Sequence, residues 1–229
     1  MSLPNPLRRR LLRLVRPAPP RLLRPTRPLS ERWGYDRGTP VDRYYIEAWL
    51  ARHATDVKGT VLEVKDADYT RRFGGTAVTH VDVLDVDSGN PQATIIADLA
   101  RADAIASASF ECVILTQTLQ LVYELPAAVE HVRRILRPGG VALVTVPTMS
   151  RVVLEHAAST DFWRFSRASC ERLFGDAFGP ERVEVETHGN LDACTSFLMG
   201  MAADEVGTKR LQRRDERFPL IVTVRATAP

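Results

Sequence analysis

Residues 110–147 carry two unbroken apolar runs separated by a helical pattern, and few architectures accept that order. The first run is Cys112-Val113-Ile114-Leu115. The second, entered through Arg137-Pro138-Gly139-Gly140, is Val141-Ala142-Leu143-Val144-Thr145-Val146. Neither alternates polar with apolar side chains, so each reads as a strand buried on both faces. Between them, residues 127–136 repeat apolar groups at helical spacing. A strand, a crossover helix and a second strand form a parallel pair. The expected fold class is therefore α/β, an open sheet with helices on both faces.

The 229 residues, 45% of them apolar, suffice for one domain with a sizeable core. Cys112, Cys170 and Cys194 are too widely spaced for a disulfide framework or a metal-ligand motif. A reduced, cytoplasmic setting and no metal are expected. No run approaches the roughly 18 apolar residues that span a bilayer. The net charge of +3 hides an asymmetry, because residues 1–30 hold eight arginines, no acid and seven of the fifteen prolines. Without that segment the chain stands at about −5, which argues against a nucleic-acid-binding body. The expected division is a basic Pro/Arg-rich arm at 1–30 and one domain at 31–229. In the arm, residues 7–15 mix arginine and leucine. They read as a solvated segment, or as a peripheral contact with an anionic membrane or a protein.

Polar residues recur where the predicted strands end. Residues 60–64 form the first strand and carry Glu63; residues 77–83 form the second, with Asp82 near its end. Residues 93–97 form the third, followed by Asp98 and Leu99, and the fourth ends in Thr116-Gln117-Thr118. Ligands of open α/β sheets sit outside the carboxyl ends of the strands, where strand order reverses. Singly, each acid reads as a helix cap or a solvated loop residue. Taken together, they mark a ligand site. Ahead of the sheet, residues 41–53 read as a helix that caps the core or lids the pocket, with Tyr44 on it a candidate acceptor contact.

The succession Val61-Leu62-Glu63-Val64, Val81-Asp82-Val83, Ala97-Asp98-Leu99, residues 110–115 and then Ile135-Leu136-Arg137-Pro138-Gly139-Gly140 resembles the class I S-adenosylmethionine-dependent methyltransferases. The likeness covers about residues 41–229, and residues 133–147 are its most specific piece. The chain is also similar to small bacterial methyltransferase-like proteins often associated with sugar-polymer or glycosyl-transfer functions, through residues 69–75, 116–120 and 163–165. The resemblance implies a Rossmann-like, mostly parallel seven-stranded sheet, S-adenosylmethionine as cofactor and a small-molecule or carbohydrate acceptor. It further implies that Glu63 and the next loop lie near the methionine part. Asp82 would take the ribose hydroxyls, Asp98 and Leu99 the adenine, and Thr116 and Gln117 the region of the reacting methyl. The chain departs from the family where a Gly-x-Gly pattern is usual, carrying Lys65-Asp66-Ala67-Asp68. Asp66 and Asp68 suit a cationic ammonium or sulfonium there, and Lys65 opposes it. The alternative reading is therefore a methyltransferase-like fold that has lost the cofactor and serves as a binding partner or performs another reaction.

A hydroxyl acceptor needs a base. The candidates are His156, His188 and Tyr123; His80 and His131 fall inside a strand and a helix. Past the fifth strand, Asp161-Phe162-Trp163-Arg164-Phe165 gathers three aromatics around an arginine. This makes Trp163 and Arg164 candidate acceptor contacts, or packing onto the sheet. Residues 170–174 and 194–205 read as helices, and residues 182–186 and 220–224 as the last strands.

Overall fold

The computed structural model describes residues 26–153 and 161–229; most of the basic arm and His156 lie outside them. Seven strands, β1 (Gly59–Val64), β2 (Val78–Asp85), β3 (Ile95–Ile96), β4 (Phe110–Thr116), β5 (Leu136–Pro147), β6 (Val183–His188) and β7 (Ile221–Thr227), form one sheet. Its order is β3-β2-β1-β4-β5-β7-β6. Strands β1 to β5 pair in parallel, and β7 inserts antiparallel between β5 and β6.

The apolar runs behave as buried parallel strands must. Val113 and Leu115 of β4 face one core with Ala142, Val144 and Val146 of β5, while Cys112 and Ile114 face the other with Val141 and Leu143. Helices α3 (Leu125–Ile135) and α4 (Arg167–Phe178) cover the first face; α1 (Val41–Arg52) and α5 (Leu191–Leu198) cover the second. In α3, Ala128, Val129, Val132 and Ile135 are all fully buried, at i, i+1, i+4 and i+7 of one stripe. Full burial of one such aliphatic side chain contributes about 1.5–3 kcal/mol.

The Pro-Gly-Gly entry into β5 has a steric cause. A Cβ on Gly140 would lie 2.8 Å from the Arg137 carbonyl oxygen and 3.1 Å from that of Phe110. A helix α2 (Asp68–Gly74) joins β1 to β2, and two short helices, α6 (Ala203–Val206) and α7 (Thr208–Leu211), precede β7.

Several boundaries differ from the sequence expectation. The helix α4 starts earlier than residue 170 because Ser166 is its N-cap, and the Ser169 side chain accepts from Ser166 N in return. The single helix expected over 194–205 is split. Asn190 caps α5 early through Ala193 N, and Gly200 (φ 73°) ends it against Ser30, whose carbonyl oxygen would lie 2.5 Å from a Cβ there. The third strand shrinks to two residues, since Ala93 N turns back to Asn90 O. At the N-terminal side, Leu29 N already donates to Met199 O, so residues 29 and 30 join the folded body.

Candidate functional site

The chain leaves β1 for β2 on one side while β4 lies on the other, so a crevice opens at the carboxyl ends of β1 and β4. The loop after β1 is built on two carboxylates. Glu63, 2% exposed, accepts from Tyr69 N (3.1 Å) and Thr70 N (2.7 Å), and Asp66 accepts from Asp68 N (3.1 Å). They satisfy the open N–H groups at the start of α2. Burial pushes the Glu63 carboxyl above its ordinary range, against the pull of those donors.

Lys65 adopts φ 79°, and its N–H continues the sheet ladder to Leu84 O at 2.9 Å. This is the left-handed region that glycine enters without cost. The backbone keeps a glycine-like path while the lysine side chain points to solvent and the methyl of Ala67 is buried in the protein. Gln117, at the end of β4, is also left-handed (φ 51°). Strained non-glycine residues thus flank the crevice on both sides, a pattern concentrated at functional sites.

The second wall is the turn after β2. Asn90 Nδ2 donates to Lys65 O and to Asp85 Oδ2, both at 2.7 Å, binding the loops after β1 and β2 together. Burial raises the Asp85 carboxyl, but Asp87 N and the Asn90 amide outweigh it and hold it below the ordinary range. Asp85, not Asp82, is the acid at the strand end. The strand runs three residues past Asp82, whose carboxylate accepts from Thr94 Oγ1 at 2.7 Å and lies 3.3 Å from His80 Nε2. Asp98 caps a short turn through Ala100 N, and Leu99 is buried in the first core.

Beyond β4, Gln120 Nε2 donates to Gln117 O (2.7 Å), and the Gln120 carbonyl receives Phe162 N and Trp163 N. Among the described residues, buried Gln117 Nε2, Gln120 Oε1 and Thr148 Oγ1 have no hydrogen-bond partner, which leaves polar capacity at the ends of β4 and β5. Tyr123 stacks on Trp163 (5.9 Å between centroids) and meets Phe162 edge-on (5.2 Å). Trp163 Nε1 donates to Val122 O. Arg164 is paired with Asp161 and donates to Arg151 O, so it braces this segment.

Other expected residues stand elsewhere. Tyr44 lines two clefts along α1, of about 660 and 420 Å³, neither of which includes the crevice residues. His188 lies on the outermost strand, four strands from β1 and thus roughly 19 Å away at ordinary strand spacing. Its Nε2 meets Thr223 Oγ1 at 2.9 Å, and burial lowers the imidazole to about 4. Cys112, Cys170 and Cys194 are buried and free. Among the described residues no group of His, Cys, Asp or Glu is placed to hold a metal, and no helix is long and apolar enough to cross a membrane. Asp85, Asn90 and Gln120 escaped the sequence reading. The one signal for Asp85 was the continuation of the second strand pattern through Leu84.

Residues 49–144 match the family model described as a methyltransferase domain. A search of curated proteins returned no match. Among solved structures, the [4+2]-cyclase SpnF is similar at 14% identity over 84% of this chain and 84% of that one, with a TM-score of 0.56. A chain from the complex containing the Haloferax volcanii Trm112 methyltransferase activator is similar at 19% identity over 82% and 96%, with a TM-score of 0.54. A Haemonchus contortus phosphoethanolamine N-methyltransferase, solved with phosphomonomethylethanolamine and S-adenosylhomocysteine, is similar at 11% identity over 82% and 57%, with a TM-score of 0.52. At these identities the likeness is one of fold.

Proposed function

We infer, from a chain that carries a methyltransferase domain on the class I methyltransferase fold, that it binds S-adenosylmethionine in the crevice between β1 and β4 and methylates a small or sugar-containing acceptor. The observation that carries the reading is the left-handed backbone at Lys65, which keeps the glycine path of the loop although the glycines are gone. The crevice residues fit the cofactor. Asp66 supplies negative charge for its cationic part, on a loop that Glu63 holds in place, and the Asp85–Asn90 turn is the strand-end group for the ribose hydroxyls, in place of Asp82. Asp98 stands toward the adenine; the buried side chain of Leu99 leaves its backbone as the contact. Thr116, Gln117 and Gln120 line the end nearest the methyl.

When bound, the cofactor supplies a methyl group activated on a sulfonium. The chain's own task is alignment and exclusion of water. The Tyr123–Phe162–Trp163 cluster, pinned to Gln120 and Val122, forms the acceptor wall, and Arg164 holds it in place. Of the base candidates, Tyr123 adjoins the crevice, His188 is remote from it and His156 lies outside the described residues. The arm at 1–30 is a peripheral contact for an anionic surface or a protein, and the cytoplasm is the assigned compartment.

Isothermal titration with S-adenosylmethionine tests the reading; binding at micromolar cofactor is expected. Absence of heat and of thermal stabilisation at millimolar cofactor favours the alternative, a fold retained without the cofactor.

A further inference from the structure

Arg43 lies in the first turn of α1 with 21% of its side chain exposed. Its Nε donates to Tyr35 Oη at 2.8 Å and its Nη1 to Tyr69 Oη at 3.3 Å. The nearest carboxylate, Asp42, approaches Nε only to 3.9 Å, and its other oxygen accepts the Arg43 backbone N–H at 2.8 Å. Among the described residues, Arg43 Nη2 makes no hydrogen bond. A largely buried guanidinium served by two phenols and one distant carboxylate is short of anionic partners. Burial pushes the Asp42 carboxyl upward, against the pull of Arg43, while Asp42 and the two phenols keep the Arg43 guanidinium charged in spite of its own burial.

The position of this cation is informative. Tyr69 opens α2, and its backbone N–H rests on Glu63 at the carboxyl end of β1. Arg43 therefore stands one side-chain length from the crevice. The first loop presents an acid there, Asp66, suited to an ammonium, while Glu63 is buried and holds the loop through Tyr69 N and Thr70 N. A zwitterionic amino-acid group also needs a cation. Arg71 and Arg72 are engaged by Asp68 (3.3 Å) and Glu47 (2.7 Å), and Lys65 projects into solvent.

We propose that Arg43, oriented by the hydroxyls of Tyr35 and Tyr69, binds the carboxylate of the ligand's amino-acid part while Asp66 faces its ammonium. This rests on the crevice being a site for S-adenosylmethionine. The leading helix thereby supplies a contact that the glycine-poor loop does not.

The test compares the affinity of S-adenosylhomocysteine with that of methylthioadenosine, the same nucleoside thioether without the amino-acid part, by titration calorimetry. A charge-assisted hydrogen bond is worth roughly 10- to 100-fold in affinity. Arg43→Gln is expected to weaken S-adenosylhomocysteine by about that factor and to leave methylthioadenosine within about threefold. Arg43→Lys, which keeps charge and bulk, is expected to lose about five- to tenfold for the first ligand only, and Arg72→Gln, at a cation already engaged by Glu47, to change neither. An equal loss for both ligands in Arg43→Gln and Arg43→Lys would mean a structural role and overturn the proposal. So would an unchanged S-adenosylhomocysteine affinity, or a selective loss in Arg72→Gln instead. Failure of the unsubstituted protein to bind either ligand would overturn the cofactor reading itself, and the proposal with it.

Discussion

Lowering the pH from 7 to 4 should destabilise this fold through one histidine. His188 lies at the end of β6 with 13% of its side chain exposed, against Thr223 Oγ1 and 6.1 Å from the Tyr45 ring. Burial lowers its imidazole from the ordinary 6.5 to about 4; Glu186, 4.0 Å away, opposes the shift, while Arg214 and Arg52 add to it. The folded state therefore refuses a proton that the unfolded state accepts. Stability is fully present above pH 6.5 and is lost as pH falls toward 4, because the unfolded chain binds more protons in that window. At about 1.4 kcal/mol per pH unit, the gap corresponds to about 3 kcal/mol. The assay is urea unfolding of the protein and of His188→Gln at pH 7, 6, 5 and 4.5, followed by circular dichroism. Glutamine keeps a polar group for Thr223 but does not titrate. Carboxylates such as Glu205 and Asp215, held at about 2 chiefly by hydrogen bonds from Arg37 and Arg217, contribute equally to both proteins and cancel in the difference. The difference in stability should shift by about 2–3 kcal/mol toward the variant between pH 7 and 4.5. A difference that stays flat with pH would refute the burial argument.

Lys65→Gly should be neutral or stabilising by up to about 1 kcal/mol, since relief of the left-handed strain slightly exceeds the added chain entropy. Lys65→Val should cost about 1–3 kcal/mol, and equilibrium denaturation of the two variants, read in opposite directions, checks the backbone assignment. Gly140→Ala should cost about 2 kcal/mol, because its Cβ would meet backbone oxygens that cannot swing away. Gly139→Ala, left-handed at φ 75° but with open space around it, should cost only about 1 kcal/mol. Melting temperatures that fall equally for both, or more for Gly139→Ala, would contradict the clash at Gly140.

The strands from Cys112 and Val141 were legible because burial on both faces permits no polar alternation, and that constraint is written into adjacent residues. The crossover helix was legible for the same kind of reason, its stripe recurring every three to four positions. Strand ends were harder to place. Asp82 is near-terminal when the strand is ended at Val83, yet parallel pairing with β1 and β3 carries β2 on to Asp85. The break in the 194–205 helix depends on Ser30 pressing against Gly200, a contact between residues 170 positions apart. Locally, Gly200 closes the helix with Gly200 N donating to Phe197 O and Met201 N to Ser196 O, a stop that the apolar stripe running on past it obscures.

The opening apolar runs by themselves determined a parallel α/β sheet, because period and burial are local properties that the chain displays in order. The site was decided by tertiary structure. Whether Lys65 closes the crevice depends on a backbone angle held by the ladder to Leu84 and the clamp from Asn90. Whether Arg43 belongs to the site depends on Tyr69 reaching it from another helix. Those are distances between segments remote in the chain, and only the folded packing sets them.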